Sequence, residues 1–142
     1  MLRRLTSTSA TWATVPLRLA MGIAFIGHGA QKVLGSFNGP GFAKFTSFPA
    51  PFPFMRPAWL WMGAAAVAEL IGGVLVLLGL FTRVGAFLIT CVMLVAITGV
   101  LWPAFFAPAG MELAIAMLGM ALALLITGGG QASVDRMIGG RR

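Results

Sequence analysis

The chain has 142 residues, of which 59% are apolar and only 9% charged, and it carries a formal charge of +7. Average soluble domains hold about 25% charged residues, so this composition excludes an ordinary water-soluble globule and makes a lipid bilayer the expected solvent. The basic excess does not point to nucleic acid, because no basic stripe with interleaved stacking aromatics runs along a soluble face.

Met1-Leu2-Arg3-Arg4 resembles the basic start of a signal peptide. Ten largely polar residues, Leu5 to Thr14, separate it from the apolar run and Arg18 interrupts the approach, so cleavage is not expected. The first candidate span covers residues 12–34, with Thr14 as N-cap and Pro16 in the first turn. Its end, "GHGAQKVLGSF", places His28, Gln31 and Lys32 within five positions. Residues 35–56 break the pattern with glycines and prolines, and carry Phe37, Phe42, Phe45, Phe48, Phe52 and Phe54. Too apolar to float in water, this loop either lies on the membrane interface or caps the bundle.

The second span covers 57–80, and the connector Phe81-Thr82-Arg83 leads to a third, uncharged span over 84–102. Pro103 and Pro108 interrupt, the fourth span covers 110–127, and Gly128-Gly129-Gly130 ends it. A helix needs about 20 apolar residues to cross a bilayer. The expected fold is therefore an all-α integral membrane protein, one domain over 1–142, built as a four-transmembrane-helix bundle. Four crossings put Arg3, Arg4, Arg83, Arg136, Arg141 and Arg142 on one side, and Lys32, Lys44 and Arg56 on the other. The positive-inside rule then places both termini in the cytoplasm and the protein in the inner (cytoplasmic) membrane. Trp59, Trp61 and Trp102 fall at the outer interface and Trp12 at the inner one.

At 100° per residue, Arg18, Gly22, Phe25, Gly29 and Lys32 share a face of the first helix, with His28 just beyond it. Met62, Ala65, Glu69, Gly72, Gly73 and Val76 share a face of the second; Cys91 and Thr98 align on the third; Glu112, Ala116, Gly119 and Ala123 align on the fourth. Small residues at this spacing let helices approach closely in lipid, so these faces are expected to turn inward.

Glu69 falls near the middle of its span. A charge there costs about 2.5–3.5 kcal/mol on the insertion scale, taking Asp as proxy. The ten Leu, Ile and Val residues between Leu60 and Leu80 return about 3–6 kcal/mol. The span tolerates the carboxyl, but a midplane acid needs a partner or a role. Arg18 and His28 are the candidates by helix face, though Arg18 could equally snorkel to headgroups. Lys32 alone reads as an interfacial anchor. His28 and Glu112 enter at similar depth. With Gln31 and Lys32 they would suit a quinone head group, whose carbonyl oxygens need donors and whose reduction needs protons. Alternatively His28 and Glu112 only bond each other and tie two helices together. Cys91, the single cysteine, excludes an internal disulfide and reads as a packing residue. No metal, haem or flavin site is evident.

"RLAMGIAFIGHGAQKVLGSFNGPG" (18–41), "AELIGGVLVLLGLFTRVGAFL" (68–88), "GMELAIAMLG" (110–119) and "GGGQASVDRMI" (128–138) together resemble the DoxX family over residues 16–138. The resemblance implies a small four-helix bacterial or archaeal membrane protein. Naming members of that family are linked to the membrane part of thiosulfate:quinone oxidoreductase and terminal quinol oxidase assemblies; others accompany redox or detoxifying enzymes. It places Arg18, His28, Gln31, Lys32, Glu69 and Glu112 on recurrent polar positions. The absence of paired cysteines argues against thiol exchange.

The expected function is a membrane subunit of a quinone-linked oxidoreductase system. Glu69 and His28 would relay protons; His28, Gln31, Lys32, Glu112 and Arg18 would form the quinone pocket, and a partner subunit would supply electrons. The rivals are a non-catalytic accessory subunit docked to a larger membrane complex, and transport of a small solute or proton.

Overall fold

A computed structural model describes residues 6–106, 108 and 110–139. Among these the protein is entirely helical. Helix α1 is Thr14–Val33, α2 is Gly41–Thr46, α3 is Ala58–Leu78, α4 is Thr82–Val95 and continues as a π-helix over Ala96–Leu101, α5 is Glu112–Thr127, and α6 is Val134–Gly139. Two helices, Ala58–Leu78 and Thr82–Leu101, are long and apolar enough to cross a membrane, and Glu112–Thr127 is a shorter apolar helix. The 20 residues of α1 reach about 30 Å, but its two charges, Arg18 and Lys32, set α1 apart from α3, α4 and α5, which carry one each.

The boundaries follow from local chemistry. Gly79, with φ 67°, ends α3, and the Leu80 N–H returns to the Leu75 carbonyl at 3.0 Å, a Schellman-type closure. Gly128, with φ 74°, stops α5. Thr14 does not act as the N-cap expected of it. It is the first helical residue of α1, and its hydroxyl donates to the Gly129 carbonyl at 3.0 Å. Helix α6 falls beyond the triple glycine, where the sequence pattern holds no span.

Helix α1 packs along α3, α3 on α4, and α4 on α5, with a smaller contact of α5 back on α1 closing the ring. The α1–α3 seam rests on missing side chains. A Cβ at Gly22 would lie 2.6 Å from the Leu77 Cβ, and one at Gly29 2.6 Å from the Leu70 Cα. At the next seam, a Cβ on Gly85 would meet the Gly72 carbonyl at 2.9 Å. Close backbone approach through glycine is how helices associate where solvent gives no hydrophobic drive. Met21, Phe25, Val76, Ile89 and Leu124 fill the centre. Outward, Ile23, Ile71, Phe87, Leu94 and Ile126 are exposed, a belt of large apolar side chains that suits lipid rather than water.

The inward faces of α1 and α3 agree with the sequence reading: Arg18, Gly22, Phe25 and Gly29 are buried on one, Glu69, Gly72, Gly73 and Val76 on the other. The readings for the next two helices are corrected. Cys91 and Thr98 are exposed, while Gly85, Ala86, Ile89 and Met93 face the core. On α5, Ala116 and Gly119 are exposed, and Ala114, Ala121 and Leu124 turn inward. The few polar side chains of α4 point different ways, Thr82 and Thr90 inward and Cys91 and Thr98 outward, and α5 is apolar between Glu112 and Thr127, so no single polar stripe marks either rotation.

The segment between α1 and α3 folds back over the bundle. Phe42 packs above Gly63, Pro51 and Phe52 cover Gly99, and Gly39 lies directly on the backbone of Gln31. Phe42, Phe48 and Phe54 are nonetheless exposed, so the segment caps the helices with one side and presents aromatic rings with the other.

Candidate functional site

The antiparallel α1–α3 seam sets the site. Gly22 lies opposite Leu77 and Gly29 opposite Leu70, so the last turn of α1 reaches the level of Glu69, halfway along α3. There Lys32 donates to both carboxylate oxygens, Nζ to Oε1 at 2.5 Å and to Oε2 at 2.6 Å. The Glu69 side chain is 4% exposed and that of Lys32 25%. The ring of Phe45, from the α2 segment, lies 5.2 Å from the ammonium, within range of cation–π attraction. A midplane acid thus has a cation across the seam and an aromatic ring above that cation.

Sequence reasoning named Arg18 and His28 as candidates for Glu69 and read Lys32 alone as an anchor; the partner is Lys32. The lysine lies only one helical step from the level of the acid, and its four-carbon stem covers that gap. Arg18 is 6% exposed and neither snorkels nor joins Lys32. Its Nε donates to the Val76 carbonyl at 3.0 Å, its terminal nitrogens to Gly129 at 3.0 Å, Ala132 at 2.5 Å and Leu77 at 2.8 Å. His28 is exposed on α1, and no hydrogen bond joins it to Glu69 or Glu112 among the described residues. Gln31 is half-buried beside Lys32, and Glu112 is half-buried in the first turn of α5.

Asp135 was given no role by sequence reasoning. It is 1% exposed and accepts from the Phe81 N–H at 2.7 Å, the Thr82 N–H at 2.8 Å and the Thr82 hydroxyl at 2.7 Å. It caps α4 from 53 residues away, satisfying N–H groups that a helix start leaves without partners. The signal was present: with three acidic residues in the whole chain, an aspartate inside "GGGQASVDRMI" calls for a donor.

Chemically, Lys32 and Glu69 form a close ion pair. An ammonium has three donors and two are spent on the carboxylate, so one remains for an incoming acceptor. Beside this pair, though not containing it, an apolar groove of about 210 Å³ runs between α3 and α4 under Pro51 and Met55.

Fold and site together define a helical protein of membrane-like character with a largely buried ion pair beneath an aromatic ring. The profile of the DoxX family matches residues 13–102, more than half the chain and all of α1 to α4, and the protein belongs to the DoxX family. Searches of the curated proteins and of the solved structures returned no significant match.

Proposed function

We propose that this DoxX protein is a multi-pass inner-membrane subunit of a quinone-linked oxidoreductase system, with Lys32 and Glu69 as its proton-handling group. In this reading α3, α4 and α5 cross the bilayer, α1 completes its crossing with the segment that follows it, and both termini face the cytoplasm. The triple-glycine loop, Arg83 and Arg136 then lie on the positive inner side. Reporters fused at the C-terminus and inserted after Ser47 should give opposite sides of the membrane.

The observation that carries the proposal is the ion pair at the middle of α3, where a charge is costly and an ordinary span would place leucine. A quinone reduced by two electrons from a partner takes up two protons. Lys32 would give one to a quinone oxygen, be reprotonated from water through Glu69, and by the same path deliver the second, while Gln31 and the exposed His28 offer further hydrogen-bond donors to the ring. Arg18 has no part in this, since its donors are taken by backbone carbonyls at the other end of α1. The test is titration of a quinone analogue into protein held in nanodiscs. Glu69→Gln and Lys32→Met should weaken binding at least tenfold and His28→Ala less; equal affinity in wild type and both pair variants removes the reading.

The accessory-subunit reading is favoured by the exposed small face of α5, Ala116 and Gly119, where a neighbouring helix could seat closely. It predicts a stoichiometric partner in mild detergent whose turnover is unchanged by Glu69→Gln. Transport through a single bundle is the weakest reading, because Met21, Ile89 and Leu124 are fully buried at its centre.

A further inference from the structure

We infer that the groove between α3 and α4 holds one acyl chain of an anionic phospholipid, whose phosphate is bound by Arg56. The groove exists because α3 presents alanines, Ala64, Ala65 and Ala68, opposite Leu88 and Val95 of α4. From Trp61 to Ala68 it follows seven residues of α3, about 10 Å of rise. Its deep end lies next to the level of Glu69, and its mouth at Trp61. Indole rings prefer the headgroup level of a bilayer, and both Trp59 and Trp61 are exposed there. The slot therefore runs from the membrane surface to mid-depth, the path of a single chain of one leaflet.

The mouth supplies the charge. Met55, buried, forms the roof together with Pro51, and the next residue is Arg56, which is exposed. Its Nε is fixed on the Pro53 carbonyl at 3.1 Å, and no carboxylate engages the guanidinium among the described residues. Glu69 is held by Lys32, Asp135 caps α4 at the other end of the bundle, and Glu112 at the start of α5 makes no salt bridge to Arg56 among the described residues. A guanidinium with free terminal donors at headgroup level matches a phosphate oxygen pair. The walls argue against a quinone ring deep in the same slot, because below the Trp61 indole at its mouth only the Cys91 thiol could donate to a carbonyl. The inference stands apart from the quinone proposal and rests only on α3 and α4 crossing the bilayer, in either direction.

The experiment is native mass spectrometry of the full chain released from mild detergent, with phosphatidylglycerol and phosphatidylcholine of identical chains added in equal amounts. Wild type should retain phosphatidylglycerol about fivefold better, the scale of one basic residue at a lipid surface. Arg56→Gln should bring the two lipids to parity while retention persists. Ala65→Leu and Ala68→Leu should fill the slot and abolish retention of both. Equal retention by wild type overturns the inference, as does undiminished retention in a leucine variant that keeps its thermal stability, or displacement of the lipid by equimolar polyprenyl quinone. Arg56 is exposed and outside the helices, so its variant decides the charge claim even where a leucine variant fails to fold.

Discussion

Arg18 and Lys32 are two cations on one face of α1, near its opposite ends, and the protein satisfies them by different means. Arg18 is buried and donates to four backbone carbonyls, two at the C-terminal end of α3 and two in the loop after α5. Carbonyls at a helix C-terminus carry the negative end of the helix dipole, so they take up the guanidinium's hydrogen bonds, and the nearby Asp135 carboxylate adds a negative charge that it does not bond directly. Lys32 instead faces a carboxylate, keeps a quarter of its side chain exposed, and lies under a loop rather than inside a junction of helices. A cation on carbonyls is a fastener: the groups it bonds can neither accept nor return a proton. A cation on a carboxylate is a pair of ionisable groups, and the partial exposure of Lys32 leaves one edge of this pair at the surface. The same residue class therefore serves architecture at one end of the helix and offers chemistry at the other.

The largest test of that contrast is Arg18→Leu. It removes donors from carbonyls in two elements, and hydrogen bonds to a charged group are worth about 1.5–3 kcal/mol each. A loss of about 3 kcal/mol or more is expected in unfolding from mild detergent. Arg18→Lys should recover less than half of it, since one ammonium cannot fork to α3 and to the glycine loop together. Full recovery by lysine would show that charge, not the fork, is what the junction needs.

Asp135→Ala comes next and probes the same end. The cap of α4 loses three donors' acceptor, for an expected loss of about 2 kcal/mol. Paired with Thr82→Ala in a double-mutant cycle, it should show coupling of at least about 0.5 kcal/mol. Additive losses would mean that the hydroxyl bond contributes nothing beyond the two N–H bonds.

At the other end, Glu69→Gln should destabilise less, by about 1–2 kcal/mol, below the 3–5 kcal/mol typical of breaking a fully buried pair, because Lys32 can turn toward water. Its effect on quinone-analogue binding should be the larger one. Glu69→Leu with Lys32→Met should return stability close to wild type, since an apolar pair of similar volume avoids desolvating two charges. If the double variant is as unstable as Arg18→Leu, the pair is a second fastener and the contrast fails.

What the sequence disclosed follows the same division. The α1–α3 seam was legible because its glycines and charges share faces, and polar groups in an apolar helix mark its rotation. Glu69 stood out for the same reason. The rotations of α4 and α5 were not legible, since Cys91, Thr98, Ala116 and Gly119 sit in helices with apolar residues all round. The Lys32 contact was missed because the reading placed Lys32 at the interface and Glu69 at the midplane, whereas α1 ends close to the depth of the acid while α3 continues past it. The Asp135 cap bridges 53 residues, and no periodicity within a helix encodes so distant a tie. The profile match ends at residue 102, so α5 and the Asp135 cap lie beyond it.

The smallest expected effect belongs to the aromatic cap. Phe45→Ala removes a ring 5.2 Å from the Lys32 ammonium. A partly exposed cation–π contact is worth about 0.5–1 kcal/mol, so stability should fall by no more than that. Access is the sharper readout. The chain holds two lysines, Lys32 and Lys44, and Lys44 is exposed, which makes it an internal standard for a water-soluble acylating reagent followed by peptide mass analysis. In wild type Lys32 should react far more slowly than Lys44, being both paired and covered. Phe45→Ala should speed Lys32 several-fold and leave Lys44 unchanged, whereas Glu69→Gln should speed it with the cap still in place. If removing the ring leaves the Lys32 rate as it was, the carboxylate alone shields the ammonium, and the loop over residues 35–56 lies beside the site without controlling entry to it.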